Sequence, residues 1–182
     1  MKGYFNMNQN RITKFYKVSF DQFLEDYAKI FLKEEKITQS ILETVQNGYD
    51  NLQLPVRSTS GSAGYDFYSP FNYTIKPDET ALIPTGIRCQ IEDGWVLTIY
   101  PRSSLGFKYQ LNLVNTVGII DADYSYAKNE GHIMVKFVNH GNEEVNIKSG
   151  DKIVQGIFLP FGITYNDEAN GERTGGFGST GK

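Results

Sequence analysis

Cysteine and histidine are scarce in this sequence of 182 residues. Cys89 is its one cysteine, and His132 and His140 are its two histidines. A single cysteine excludes an intramolecular disulfide framework, and so few thiol and imidazole groups argue against a zinc site built from them. Any metal chemistry is therefore expected to use oxygen ligands.

The sequence also lacks an excess of positive charge and a long apolar run. Lys and Arg total 18 against 21 Asp and Glu, which gives a formal net charge of −3. Chains that bind DNA or RNA usually carry a basic excess, so we expect no nucleic acid polymer as a partner. No stretch approaches the ~18 apolar residues of a membrane span, and residues 1–6 lack the apolar region of a signal peptide. We therefore expect no membrane partner and a cytoplasmic location.

Residues 1–50 are predicted to form a helical extension. Ser19, followed three positions later by Gln22, has the form of a capping box. The apolar residues that then follow a helical period are Phe20, Phe23, Leu24, Tyr27, Ile30 and Phe31. A second helix is predicted over Thr38–Asn47, with Gly48 as its C-terminal stop.

Residues 51–165 have the pattern of a β domain. The predicted strands, rich in β-branched or aromatic residues, include Thr80–Ile83, Val96–Tyr100, Ile133–Val138, Val145–Ile147 and Ile153–Leu159. Turn residues punctuate these runs, and strands do not alternate with helices, which favours an all-β sandwich or barrel. Residues 166–182 are rich in glycine and are predicted to be a flexible tail.

Two polar segments of the β domain could bind charged groups. Ser60–Asp66 ends in a carboxylate that could bind a cation or simply close a turn. Pro101–Gly106 follows a strand and supplies Arg102 with two serine hydroxyls. Such a loop is suited to phosphate, although the capped start of a helix with a surface arginine would look the same.

Three further segments complete the set. Asn115–Tyr124 carries Asp121 directly after an apolar run, where it could be a desolvated general base or a turn residue. Gly150–Gly156 holds one amide, Gln155, in an apolar strand. Arg173–Lys182 combines an arginine, an aromatic ring and two hydroxyls among glycines, which suits either a mobile flap or a disordered tail. Taken together, the five segments indicate a nucleoside triphosphate site.

The five segments, in this order, resemble the five motifs of the trimeric deoxyuridine triphosphatase (dUTPase) family. The resemblance runs from about Leu54 to Lys182, and its strongest pieces are Ala63–Asp66, Pro101–Gly106, Gly118–Tyr124 and Gly175–Gly181. It implies an all-β fold, a distorted jelly-roll β-barrel, with the N-terminal helical extension added and the glycine-rich tail closing over the active site. It also implies a homotrimer whose sites are shared between subunits.

The resemblance implies roles for individual residues. Asp121 would be the general base that activates water, and Asp66 would help to hold Mg²⁺ through water. The substrate-binding residues it implies are Arg102, Ser103, Ser104, Asn115, Gly118, Tyr124, Gln155, Arg173, Phe177, Gly178, Ser179 and Thr180. Two departures from the family pattern are an insertion at Ser125–Glu130 and a shorter spacing after Arg173.

The activity implied is hydrolysis of dUTP to dUMP and pyrophosphate with Mg²⁺ as cofactor. This reaction keeps uracil out of DNA and supplies dUMP for thymidylate synthesis. Two alternatives remain at this point, a dCTP deaminase of the same fold and a non-catalytic nucleotide-binding barrel that acts in signalling. The Asp-x-Asp-Tyr hairpin and the glycine-rich tail motif favour the hydrolase.

Overall fold

The computed structural model describes residues 11–33 and 35–171. The first element of the described residues is strand β1 (Thr13–Lys17), and helix α1 (Phe20–Tyr27) follows it and ends in one π-helical turn, Ala28–Leu32. Helix α2 follows over Gln39–Asp50. The predicted N-terminal extension is thus not helical throughout, because β1 alternates its side chains and buries Phe15 between exposed Lys14 and Tyr16.

In the described residues after α2, most of the regular secondary structure is β. The strands are β2 (Val56–Arg57), β3 (Tyr65–Tyr68), β4 (Tyr73–Ile75), β5 (Thr80–Pro84), β6 (Ile87–Ile91), β7 (Trp95–Pro101), β8 (Leu111–Leu113), β9 (Gly118–Ile120), β10 (Met134–Asn139), β11 (Val145–Ile147) and β12 (Lys152–Pro160). Helix α3 (Ser103–Tyr109) lies between β7 and β8, and a 3₁₀ turn, Ala122–Tyr126, follows β9. The five strands predicted from the sequence are confirmed to within one residue at each end.

The strands form four antiparallel sheets. The largest has the order β2-β3-β12-β7-β9, a second has the order β5-β10-β8, and β1-β6 and β4-β11 are pairs. Within the described residues these sheets do not join into one closed hydrogen-bonded barrel. The expected all-β fold is confirmed in the coarser sense of a mostly β fold with few helices. The predicted closed barrel is not seen among the described residues, because the sheets meet through side chains. The jelly-roll order stays a prediction.

One apolar core lies between the sheets and a smaller one lies under the helices. The fully buried side chains of the main core include Phe67, Ile83, Leu97, Ile99, Phe137 and Ile153. The smaller core consists of Val18, Phe23, Val45 and Leu52, with Phe71 of the β domain packed against it. The helices therefore dock on the β domain through apolar contacts.

The prediction that Gly48 ends the second helix is wrong. Gly48 lies inside α2, which continues to Asp50. A Cβ atom at this position would lie 2.3 Å from Cε1 of Phe71. The glycine is therefore explained by close helix packing rather than by helix termination. The division at residues 50 and 165 stays a prediction.

Candidate active site

The hairpin around β9 forms the wall of a cavity of about 710 Å³, which we call the hairpin pocket. It is lined by three predicted substrate-binding residues, Asn115, Gly118 and Tyr124, and by the predicted general base, Asp121. Its size falls within the usual range for small-molecule sites. Ile99, Leu113 and Ile120 give it an apolar lining beside these polar groups.

Gly118 allows the hairpin to lie close against its neighbour in the sheet. It pairs with Ile99 of β7, and a Cβ atom built on it would lie 3.1 Å from the Ile99 Cβ atom. The absence of a side chain therefore leaves the hairpin main chain open toward the pocket. Asn115, on the loop before β9, is exposed.

Asp121 and Tyr124 occupy the exit of β9. Asp121 is half-buried and stands immediately before the 3₁₀ turn, so its position is fixed by the strand on one side and the turn on the other. Tyr124 is 6% exposed, and its hydroxyl donates to the carbonyl of His132 at 2.8 Å. The Asn129 amide donates to the same hydroxyl at 3.0 Å.

A second group of predicted residues, which we call the phosphate-loop cluster, consists of Asp66, Arg102, Ser103, Ser104 and Gln155. Arg102 immediately precedes α3, and the two serines form the exposed first turn of that helix. Gln155, in the middle of β12, pairs with Asp66 on one side and Tyr100 on the other. Three adjacent strands of the largest sheet therefore bring these residues together.

The Asp66 carboxylate is buried and already has several partners. Lys152 Nζ lies 2.7 Å from Oδ2, the Ser58 hydroxyl donates to the same oxygen at 2.8 Å, and Arg102 Nε lies 3.5 Å from Oδ1. Burial raises the pKa of Asp66, but the Lys152 and Ser58 hydrogen bonds and the two cations together bring it below its ordinary value. The carboxylate is thus charged at neutral pH and holds Arg102 beside the loop.

The two groups of residues are separated within one chain. Ile120, next to Asp121, pairs with Leu97 near the start of β7, whereas Arg102 follows the end of β7. At about 3.4 Å per strand residue, Arg102 lies roughly 17 Å along the sheet from the Asp121 end of β9. A single copy of the chain therefore does not bring the acid next to the phosphate loop.

Comparison with known proteins decides the family. A sequence model of the dUTPase family matches residues 50–181, which is most of the chain. The chain belongs to the dUTPase family. It is 46% identical over 133 residues to the deoxyuridine 5'-triphosphate nucleotidohydrolase of Lactococcus lactis subsp. lactis (strain IL1403), a match that covers 71% of this chain and 89% of that relative.

Solved dUTPase structures have the same fold. The crystal structure of dUTPase from Streptococcus mutans is 39% identical, with a TM-score of 0.58, and the match covers 63% of this chain and 90% of that one. A mutant dUTPase of phage phi11 of S. aureus, described with a structural Mg(II) ion, has a TM-score of 0.56 at 22% identity and covers 67% and 92% of the two chains. The latter likeness concerns the fold alone.

Several residues around the dUTPase motifs were missed by the sequence reasoning. Lys152, the main partner of Asp66, precedes Gln155 by three positions, so simple strand alternation would place the two on opposite faces. A bulge at Ile153 shifts the register of β12 against β3 and brings both next to Asp66. Asp26 and Asn129 also line the hairpin pocket, and no sequence signal linked the N-terminal helix to this site.

The predicted tail residues of this dUTPase-family chain, Arg173, Phe177, Gly178, Ser179 and Thr180, lie outside the described residues. Within residues 11–33 and 35–171, no three His, Cys, Asp or Glu side chains come together as a metal-binding group. Each helix in the same ranges is too short or too polar to cross a bilayer.

Proposed function

We propose that this chain hydrolyses dUTP to dUMP and pyrophosphate, and thereby keeps uracil out of DNA and supplies dUMP for thymidylate synthesis. The observation that carries the proposal is the hairpin pocket of a dUTPase-family chain, which has a carboxylate, Asp121, at the end of its wall. Relatives named deoxyuridine 5'-triphosphate nucleotidohydrolase support the choice of substrate.

The hairpin pocket would hold the nucleoside. Asn115 and the main chain around Gly118 would hydrogen-bond the edge of uracil. Cytosine exchanges a donor for an acceptor at that edge, so the polar groups that bind uracil would be left unpaired with cytosine. Such a mismatch lowers kcat/KM for the wrong substrate by about 10⁴-fold or more. Tyr124, which is 6% exposed, would pack under the deoxyribose and leave no room for a ribose 2′-hydroxyl.

Asp121 would act as the general base. Its carboxylate would take a proton from water, which attacks the α-phosphorus in line with the departing pyrophosphate. General-base assistance of this kind contributes about 10²–10⁴ in rate. Positioning and charge stabilisation by the other residues would supply the remainder.

The phosphate-loop cluster would bind the triphosphate. Arg102 supplies a guanidinium, which suits phosphate geometry, and Ser103 and Ser104 supply hydroxyls at an exposed helical turn. Gln155 would add an amide donor from the neighbouring strand. Asp66 would orient Arg102, because it holds the guanidinium without itself being a phosphate ligand.

The donor set of the described residues fits Mg²⁺ held mainly by the substrate. Mg²⁺ is commonly bound through one or two carboxylates together with substrate phosphates and water. Lys152 and Ser58 already occupy Asp66 Oδ2, whereas Oδ1 has Arg102 at 3.5 Å, so a contact through water fits Asp66 better than direct ligation. When bound, the ion would neutralise charge on the phosphates.

A homotrimer with shared sites would bring the separated groups together. Asp121 of one copy would then face the phosphate-loop cluster of another, which a single chain cannot achieve across roughly 17 Å of sheet. The resemblance assigns uracil stacking to Phe177, assigns phosphate contacts to Arg173, Ser179 and Thr180, and places Gly178 beside them. Light scattering should give three times the 20.6 kDa mass of one chain.

The test of the proposed function is pyrophosphate release from dUTP, dCTP, dTTP and UTP, each with Mg²⁺. We expect rapid release from dUTP and a preference of about 10²-fold or more over the other three. Ammonia from dCTP without pyrophosphate from dUTP would instead identify a deaminase. Binding of dUTP without any turnover would identify a non-catalytic barrel.

A further inference from the structure

A carboxylate from outside the family-matched region lies at the hairpin pocket. Asp26 belongs to helix α1, whereas the match to the dUTPase family begins at residue 50. The residue is 4% exposed, yet it contributes to the lining of the pocket that also contains Asp121 and Tyr124. The N-terminal helix thus supplies part of the wall around the proposed nucleoside site.

Two hydrogen bonds hold the Asp26 carboxylate at this position. Its Oδ2 atom lies 2.7 Å from His132 Nδ1 and accepts from the Gln22 side-chain amide at 2.8 Å. Burial raises the pKa of Asp26, but the hydrogen bonds from His132 and Gln22, together with the ammonium of Lys29 at 4.0 Å, bring it below its ordinary value. Asp26 is therefore a charged, oriented acceptor.

The other nitrogen of His132 fixes the tautomer of the ring. Nε2 lies 2.8 Å from the backbone nitrogen of Gly86, and an N–H can only donate. Nε2 must then carry the lone pair, so the imidazole is neutral and its Nδ1–H donates to Asp26. His132 is fully buried, and both of its ring nitrogens are in use.

His132 continues the connection to the pocket. Its carbonyl accepts the hydroxyl of Tyr124, which is the residue proposed to lie under the sugar. The main chain between them is tightly packed, because a Cβ atom on Gly131 would lie 2.7 Å from the Tyr124 carbonyl oxygen. A shift of His132 would thus be passed on to Tyr124.

We propose that Asp26 is a positioning residue, which through His132 sets the place of Tyr124 and so the rejection of a ribose 2′-hydroxyl. This inference rests on the proposed function. Steric discrimination requires Tyr124 to be held within about 0.5 Å of its productive position. Asp26 and Gly86 hold the His132 ring from two sides, and the Tyr124 hydroxyl donates to the His132 carbonyl.

The test compares Asp26→Ala, Asp26→Asn and a control, Glu25→Gln, in the full chain by steady-state kinetics with dUTP and UTP. Asp26→Ala removes the acceptor, and we expect kcat/KM for dUTP to fall by about 10–100-fold, the scale of a small misplacement of substrate. We expect the dUTP-over-UTP preference to fall by about tenfold. Asp26→Asn keeps an acceptor oxygen and the side-chain volume, and should leave the preference unchanged.

The matched control is Glu25→Gln, which removes a charge from the exposed face of the same helix, where Glu25 pairs with Lys29. It should leave both kinetic constants unchanged. The ratio of kcat/KM for dUTP to kcat/KM for UTP does not depend on the amount of folded enzyme. If Asp26 had a purely structural role, Asp26→Ala would therefore lower the melting temperature and leave this ratio unchanged.

An unchanged preference in folded Asp26→Ala would overturn the inference, and so would an equal loss in Asp26→Ala and Asp26→Asn. If Asp26→Ala does not fold, Gln22→Met removes the second donor to the carboxylate and should lower the preference by about threefold; no change there would overturn the inference. Failure of the proposed function is distinct, because the unaltered protein would then release no pyrophosphate from dUTP.

Discussion

Ser19 donates twice to the carboxylate of Glu130, a residue 111 positions further along the chain. Its backbone N–H donates to Oε2 at 2.8 Å and its hydroxyl donates to Oε1 at 2.6 Å. The same hydroxyl accepts from the backbone of Gln22 and so caps α1. The reciprocal half of the predicted capping box is therefore made by Glu130, which belongs to the hairpin insertion, rather than by Gln22.

Glu130→Gln should weaken the attachment of α1 to the hairpin. Charge-assisted hydrogen bonds are stronger than neutral ones, so we expect a loss of about 1 kcal/mol in the free energy of unfolding at neutral pH. Urea denaturation measures it. Glu92→Gln, in an exposed turn, is the control and should have little effect.

The same pair predicts a dependence on pH. Burial raises the pKa of Glu130, but its hydrogen bonds to Ser19 bring the pKa below the ordinary value of 4.5. A depressed pKa contributes stability above the unfolded-state value, and this is lost as pH falls through the folded-state value. The difference between the wild type and Glu130→Gln should therefore shrink below about pH 4.5. A difference that stays constant down to pH 3 would contradict this account.

Gly64→Ala should impair substrate binding more than folding. A Cβ atom at Gly64 would lie 2.6 Å from the Gln155 Oε1 atom, which is the movable end of that side chain. The amide would turn away, and the lost hydrogen bond should raise KM for dUTP by about three- to tenfold. Gly61→Ala is the control, since a Cβ atom there meets nothing within 4 Å. Unchanged KM in Gly64→Ala would show that Gln155 does not bind substrate.

Asp66 and Lys152 should be energetically coupled. The ammonium lies 2.7 Å from the carboxylate, and the two side chains are 33% and 11% exposed for Lys152 and Asp66 respectively. Partial exposure weakens the pair by solvent screening, so a double-mutant cycle with Lys152→Met and Asp66→Asn should give a coupling of about 1 kcal/mol. Additive effects of the two substitutions on unfolding would show that the pair contributes little.

The β domain could be predicted from the sequence because its strands are short apolar runs bounded by turn residues. The first helix was predictable for a similar reason, since Ser19 and the 3.6-residue period mark its start. The role of Gly48 was not, because it depends on Phe71, which approaches from a distant part of the chain. Local patterns identify an element but not its packing partner.

The candidate site shows the same division. The positions of Asp121 and Arg102 directly after strands could be predicted, because each follows a short apolar run within a motif. Lys152 could not, because a one-residue bulge in β12 decides which face it occupies. The link between Asp26 and His132 spans 106 positions, and only the docked helix reveals it.

The Asp121 carboxylate is proposed to activate water for hydrolysis of dUTP. The most direct measurement is the turnover of dUTP with Mg²⁺ by Asp121→Asn, together with its affinity for the unhydrolysed nucleotide. Asp93→Asn, in the exposed turn between β6 and β7, is the charge-matched control and should have normal turnover. We predict that Asp121→Asn binds dUTP normally and loses at least ~10²-fold in kcat. Normal turnover by Asp121→Asn would contradict the account.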